Sequence, residues 1–208
     1  MHPIVELSLS WLLSSAKGRD EKSFYRTPAF KGLQEPTIEI TCTECGAGSL
    51  AKPAQLKKEH SHDGGGKFPG LQWTTPSSIT GQVKEWLLVV EDPDAPLPTP
   101  IVHGIFAGIG PSIMKIEHCQ LEVADESRSA LKGGFHYGVC RRPVVYLPPR
   151  PLMNHGPHRY FFEVVALSET LPKDLLESRP TREKIAKAIQ GKVLAWGLWV
   201  GAYERKWQ

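Results

Sequence analysis

The sequence predicts a mainly β fold, a sandwich of two sheets with small peripheral helices, and three observations support this prediction. Apolar stretches of strand length recur along the chain, at 86–91, 102–109, 139–147 and 160–167. Turn-forming residues separate them, since the chain contains 19 Gly and 18 Pro. Helical spacing is confined to short segments, and no internal repeat divides the 208 residues. A chain of this length is most simply one domain.

Further elements flank these core strands. Apolar residues spaced through 4–13 predict an amphipathic helix that docks on the domain, and a second helical stretch follows at 21–30. Alternating polar and apolar residues predict a strand at 36–41. Thr181 is placed to cap a helix that Gly191 ends, and 193–203 forms a last strand. We therefore expect a helical extension over 1–35, packed on a β domain over 36–208.

The N-terminal segment lacks the pattern of a secretory signal. Glu6 interrupts its apolar run, and the basic residues Lys17 and Arg19 follow that run instead of preceding it. No stretch approaches the ~20 apolar residues that a transmembrane helix needs. The net charge of +3 is small and dispersed, which argues against a nucleic-acid partner. We expect a cytoplasmic protein.

Four cysteines provide no evident metal site. Cys42 and Cys45 form a C-x-x-C pair, but a zinc ribbon needs a second closely spaced pair, and Cys119 and Cys140 are too far apart. A thioredoxin-like site would place such a pair between a strand and a helix, whereas glycines follow Cys45 here. We expect free thiols, no metal and no cofactor.

Two stiff polar segments stand beside predicted strands. The segment 91–96, Glu-Asp-Pro-Asp-Ala-Pro, follows the first core strand, and its prolines fix the backbone that carries Asp92 and Asp94. Paired acids at a strand end can bind a cation, serve as acid and base, or cap a turn. The segment 154–160, Asn-His-Gly-Pro-His-Arg-Tyr, precedes the strand 160–167. A lone His103 on an apolar strand gains interest only if it faces the same cavity.

These motifs occur together in an order that resembles a known family. DPDAP, a strand-borne His and G-x-H-R-Y resemble the two signature regions of the phosphatidylethanolamine-binding proteins, which include Raf kinase inhibitor protein. The likeness extends from about Pro36 to the end of the chain, and the PIVHG form of the His strand is most similar to a filamentous-fungal branch. The resemblance implies a central β fold with small helices and a pocket at one end.

The resemblance also implies roles for residues. Six of them would surround a bound phosphate or acetate: Asp92, Pro96, His103, Pro149, His158 and Tyr160. Arg159 would be structural and would pair with an acid of the DPDAP loop, for which we choose Asp94. If the protein is an enzyme, the catalytic residues would be Asp92, His103 and His158.

The chain departs from animal members of the family at the rim of this pocket. The loop 97–102 is short and lacks a Tyr, whereas the segment 150–155 is longer and adds His155. Two imidazoles would supply donors or positive charge to an anion, and Asp92 beside it would have to hold or share a proton. We therefore expect anions to bind better below neutral pH.

Three functions are compatible with these residues. The first is binding of a small anionic or phosphorylated ligand or metabolite. The second is a cofactor-independent enzyme of fungal secondary metabolism that uses the same pocket for dehydration, isomerisation or cyclisation. The third is inhibition of a protease or kinase partner through the protein surface. Peripheral lipid contact is compatible with the first.

Overall fold

A computed structural model describes residues 3–33 and 35–207. Within this part the helices are α1 (Pro3–Leu12), α2 (Lys173–Glu177) and α3 (Arg182–Ala188), and several 3₁₀ turns join the elements. The strands are β1 (Ile40–Cys42), β2 (Ala54–Gln55), β3 (Leu71–Trp73), β4 (Glu85–Asp92), β5 (Ile101–Ile109), β6 (Lys115–Ile116), β7 (Val123–Asp125), β8 (Ala130–Leu131), β9 (His136–Tyr137), β10 (His158–Leu167) and β11 (Val193–Tyr203).

The strands form two sheets, so the predicted two-sheet β fold is confirmed. The smaller sheet has the order β1-β3-β6, and the larger has the order β2-β11-β10-β4-β5-β9-β8-β7. Strands β4, β5, β10 and β11 are the longest and lie side by side in antiparallel pairs. They carry the site described below.

The central strands are buried on both faces, which explains why their sequences are continuous apolar runs. Every residue of β4 is buried. Trp86, Leu88 and Val90 point into a core shared with the small sheet, whereas Leu87 and Val89 point into a second core. The second core is closed by α3 and by 3₁₀ turns of the N-terminal segment, through residues such as Ile185, Phe24 and Phe30.

Three predicted elements differ from the structure. The predicted strand at 139–147 is irregular chain, and the nearest strand is β9 at 136–137. Pro143 and the prolines that follow this segment donate no backbone hydrogen bond, so the segment cannot pair as a central strand. Of the predicted strand 36–41 only the end is a strand, since β1 begins at Ile40 and ends at Cys42. The predicted helical stretch 21–30 consists of 3₁₀ turns.

Helix α1 forms where it was predicted, but it docks by its polar face. Glu6 and Ser10 are buried against the domain, whereas Trp11 is 81% exposed and Leu12 is 69% exposed. The Glu6 carboxylate pairs with Arg205 at 2.6 Å. A buried ion pair thus outweighs apolar burial in orienting the helix, and the expectation of apolar docking is wrong.

No helix in residues 3–33 or 35–207 has both the length and the apolar character needed to cross a bilayer.

Candidate functional site

A cavity of about 360 Å³ opens at the end of β4, between the central sheet and the loops that follow. Asp92, Pro96, His103, His158 and Tyr160 all line it. The structure thus brings together five of the six residues that the sequence nominated as pocket residues. Much of the remaining wall is apolar and is contributed by Leu9, Leu13, Ala95, Leu97, Ile101, Leu147, Pro148, Pro151 and Leu152.

A β-bulge aims His103 into this cavity. In the pairing of β4 with β5, Val90 lies opposite Gly104 and Glu91 lies opposite Val102, so His103 is the extra residue. A bulge of this kind reverses the alternation of side chains beyond it. Val102 consequently packs in the second core, and His103 faces the cavity instead of that core.

His103 is held by a single segment of chain. Its Nδ1 lies 2.5 Å from the carbonyl oxygen of Leu147, and its own carbonyl accepts from the Leu147 N–H at 2.7 Å. A carbonyl only accepts, so Nδ1 carries the proton and Nε2 of the neutral ring is an acceptor. Burial lowers the pKa of His103, with Asp92 opposing the effect.

Two buried polar atoms of the cavity wall lack partners. Among the residues that the structure describes, neither Nε2 of His103 nor the hydroxyl of Tyr160 has a hydrogen-bonding partner. Both side chains are almost fully buried, and their rings meet edge to face with centroids 5.1 Å apart. Buried polar groups are normally hydrogen-bonded, so this pair marks a place where a polar ligand group belongs.

Asp92 and His158 are bonded to the protein itself. One carboxylate oxygen of Asp92 accepts from the backbone N–H groups of Asp94 and Ala95, at 2.8 and 3.0 Å. Its other oxygen lies 2.8 Å from Nδ1 of His158, whose Nε2 lies 2.7 Å from Nδ1 of His155. The expectation that His158 donates to an anion is therefore corrected, because both of its ring nitrogens are already engaged.

Arg159 and Asp94 fix the backbone on which these groups stand. Nε and Nη2 of Arg159 donate to the two Asp94 oxygens at 2.8 and 2.7 Å, and the guanidinium also grips Asp20. Burial favours a higher pKa for Asp94, but the hydrogen bonds from Arg159 outweigh it and hold that pKa below its ordinary value. The structure thus joins the two residues that the sequence paired and adds Asp20.

The N-terminal segment also belongs to the site. The Gly18 N–H donates to Asp94 at 3.1 Å, and the Lys17 ammonium lies 3.3 Å from the Pro157 carbonyl oxygen. Nε2 of His155 lies 2.8 Å from the carbonyl oxygen of Leu13. These contacts join distant parts of the chain, and no local pattern in the sequence could have indicated them.

Pro149 is the predicted pocket residue that the structure places elsewhere. Its neighbours Pro148 and Pro151 line the cavity, whereas Pro149 is buried behind them and its carbonyl accepts from the His62 N–H at 2.9 Å. Three arginines that the sequence did not nominate, Arg141, Arg142 and Arg150, contribute to the cavity lining and are exposed to solvent.

Both the sequence and the fold of the chain are similar to those of known proteins. The family model described as phosphatidylethanolamine-binding protein matches residues 36–204. The chain belongs to the phosphatidylethanolamine-binding protein family. Among solved structures, a homologue of such proteins from Chlamydia trachomatis covers 82% of this chain and 99% of its own, with a TM-score of 0.62 and 22% identity. YbcL of Escherichia coli, described as a member of the mammalian family, covers 80% and 98%, with a TM-score of 0.64 and 21% identity.

Sequence relatives of the chain extend the likeness to the N-terminal segment. Two proteins named phomoidride biosynthesis cluster protein B, from a fungal species and from Talaromyces stipitatus, are each 41% identical over 206 residues. These alignments cover 98% of this chain and 96% and 82% of the relatives. This chain is therefore a homologue of proteins from a fungal biosynthetic cluster.

Proposed function

We propose that the cavity binds a small organic anion with an apolar body, and that the ligand enters together with one proton. The observation that carries this proposal is the pair of unpartnered buried groups, Nε2 of His103 and the hydroxyl of Tyr160. A carboxylate or phosphate oxygen could accept from the Tyr160 hydroxyl, and a second oxygen could share a proton with His103. The apolar wall would hold the rest of the molecule.

Charge at the rim supports an anion. The exposed Arg141, Arg142 and Arg150 would attract negative charge toward the mouth, and the attraction would weaken as salt is added. The volume of about 360 Å³ suits a small metabolite, because ligand cavities range upward from roughly 300 Å³. Homology to the phomoidride cluster proteins favours a metabolite of fungal secondary metabolism. The cytoplasmic location stays a prediction.

One observation favours a second candidate, an enzyme using the same cavity. His103 offers a free ring nitrogen beside Tyr160, and the hydrogen-bonded network of Asp92, His158 and His155 lies next to them. A general acid or base with those neighbours could assist dehydration, isomerisation or cyclisation of the bound molecule. Binding comes first, since the unpartnered groups alone support it.

The test removes one oxygen atom from the cavity wall. Tyr160→Phe should weaken binding of hexanoate, a carboxylate with an apolar tail, by about tenfold, because the hydrogen bond of one hydroxyl to a charged group is lost. Isothermal titration calorimetry measures the change. Tyr146→Phe is the matched control: its hydroxyl is also buried and has no hydrogen-bonding partner within residues 3–33 and 35–207, but it belongs to a different cavity.

Three outcomes are decisive. Equal weakening by both variants, or by neither, would contradict the proposed site. Native mass spectrometry of the purified chain should in addition reveal a retained small acid. Loss of a metabolite's conversion in His103→Ala, with the fold intact, would favour the enzyme over the binding protein.

A further inference from the structure

An unbroken line of hydrogen bonds runs from the cavity floor to helix α1. Asp92 is bonded to His158 at 2.8 Å, His158 to His155 at 2.7 Å, and His155 to the carbonyl oxygen of Leu13 at 2.8 Å. Asp92, His155 and His158 are all buried. Leu13 follows the last turn of α1, and its N–H donates to the carbonyl of Leu9. The protonation of Asp92 and His158 is therefore connected, through His155, to the position of helix α1.

The line needs one proton more than its groups hold in their ordinary neutral-pH forms. Three contacts need three protons, but a carboxylate with two neutral imidazoles carries only two. The Leu13 carbonyl can only accept, so His155 donates from Nε2 and accepts at Nδ1. His158 must then donate from Nε2 to His155. The third proton lies in the contact with Asp92, either on Nδ1 of an imidazolium beside the carboxylate or on a protonated Asp92 that donates to Nδ1 of a neutral ring.

Loss of that proton breaks one contact. A neutral His158 keeps its one hydrogen on Nδ1, where it donates to the charged Asp92 carboxylate. Its Nε2 then faces Nδ1 of His155 with no hydrogen between them. If His155 changes tautomer to restore that bond, its Nε2 faces the Leu13 carbonyl, and two acceptors meet at 2.8 Å. An unpaired contact of this kind is costly in a buried site. In either case His155 can no longer bond both neighbours.

The Leu13 end is the one that can yield. Leu9 and Leu13 form part of the cavity wall, so α1 covers one side of the mouth. Leu13 lies between two anchored positions: Glu6 pairs with Arg205 and accepts from the Met153 N–H, and beyond Leu13 the Gly18 N–H donates to Asp94. Release at Leu13 would therefore loosen the last turn of α1 between these two fixed positions.

Charged groups from three other parts of the chain face His155. They are His158 on β10, Asp92 at the end of β4, and Lys17 in the N-terminal segment. Burial lowers the pKa of His155, and both His158 and Lys17 lower it further, against the opposing effects of the Leu13 carbonyl and Asp92. Because a neutral His155 that donates from Nε2 to Leu13 accepts at Nδ1, the third proton of the line lies in the contact between Asp92 and His158, and the His155 ring connects that contact to Leu13.

We propose that His155 is a positioning residue that couples protonation of the Asp92–His158 pair to closure of α1 over the cavity mouth. The helix is latched at acid pH and released at its Leu13 end as the pair loses its proton. This inference goes beyond the proposed function, because the device operates without a ligand.

The experiment uses the full chain without ligand. Hydrogen–deuterium exchange of the peptide spanning α1 is compared at about pH 5.5 and 8.5, after correction for intrinsic exchange rates. We expect protection at the end of α1 to fall about tenfold at the higher pH, the effect of losing one hydrogen bond. His155→Gln keeps an amide donor for Leu13 but has no titrating proton, so its protection should not change with pH.

His136→Gln is the matched control, because Nδ1 of His136 on β9 also contacts a backbone carbonyl, that of Arg128, at 2.9 Å. It should behave as the natural chain does. Unchanged protection in the natural chain, or a tenfold fall that persists in His155→Gln, would overturn the proposal.

A second measurement needs no variant. Nitrogen NMR of the natural chain at about pH 5.5 should find the His155 proton on Nε2 and an acceptor at Nδ1. A proton on Nδ1 with an acceptor at Nε2 would overturn the latch even if His155→Gln does not fold. Both readouts are independent of hexanoate, so the latch and the proposed function can fail separately.

Discussion

Replacing His103 by Gln should remove the proton uptake that accompanies anion binding. The bond from Nδ1 to Leu147 makes Nε2 of neutral His103 an acceptor, which cannot donate to an ionised carboxylate. Hexanoate must therefore bind with uptake of about one proton. Burial already lowers the pKa of free His103, so at neutral pH nearly all of that proton has to be taken up on binding.

The magnitude follows from linkage. A ligand that binds the protonated form has its full affinity below the pKa of the free group and loses it as the pH rises above that value. The loss is tenfold, or about 1.4 kcal/mol, for each pH unit until the pKa of the bound state is reached. Between about pH 6.5 and 8.5 we expect roughly a hundredfold weaker binding, since hexanoate itself stays ionised over this range.

Calorimetry in two buffers of different ionisation enthalpy measures both quantities. The natural chain should take up about one proton per hexanoate at pH 7.5. The variant His103→Gln should bind more weakly at pH 6.5 and should take up far less than one proton per hexanoate, because an amide donates without titrating. Zero proton uptake by the natural chain, or constant affinity in that chain, would refute the assignment of Nε2 as an acceptor.

Two further predictions concern stability. Burial beside Glu91 raises the pKa of Glu163 well above its ordinary value. The Glu163 side chain therefore contributes its full stabilisation below the pKa that it has in the unfolded chain. This contribution is lost, at about 1.4 kcal/mol per pH unit, as the pH rises through the folded-state pKa. Glu163→Gln should therefore be more stable than the natural chain at pH 8 in urea unfolding, with the gap closing near pH 5; a constant gap would contradict this. Arg159→Lys keeps the charge but loses the planar guanidinium that donates to both Asp94 and Asp20. It should lower the free energy of unfolding by about 2 kcal/mol. A loss below about 0.5 kcal/mol in the same assay would show that the fork is not needed.

The sequence predicted the central strands well because burial on both faces requires continuous apolar residues. Strand β11 spans the predicted residues 193–203, and β4 and β10 differ from prediction by one or two residues at an end. The failures are short elements and 139–147, where apolar residues pack without strand pairing because prolines interrupt the donors. The orientation of α1 could not be predicted from the sequence either, because Glu6 pairs with Arg205, which lies almost the whole chain away.

For the candidate site, too, the sequence predicted one part and the tertiary structure decided the other. The sequence by itself indicated which residues belong together through a resemblance: the order of its motifs resembles the family's signature regions, which nominated Asp92, His103, His158 and Tyr160, and all four line one cavity. The tertiary structure decided what their atoms can do. A bulge turns His103 inward, and His155 occupies the nitrogen that His158 was expected to offer a ligand. Strand spacing specifies where a side chain is attached, whereas its hydrogen-bonding partners come from chain positions that only folding brings near.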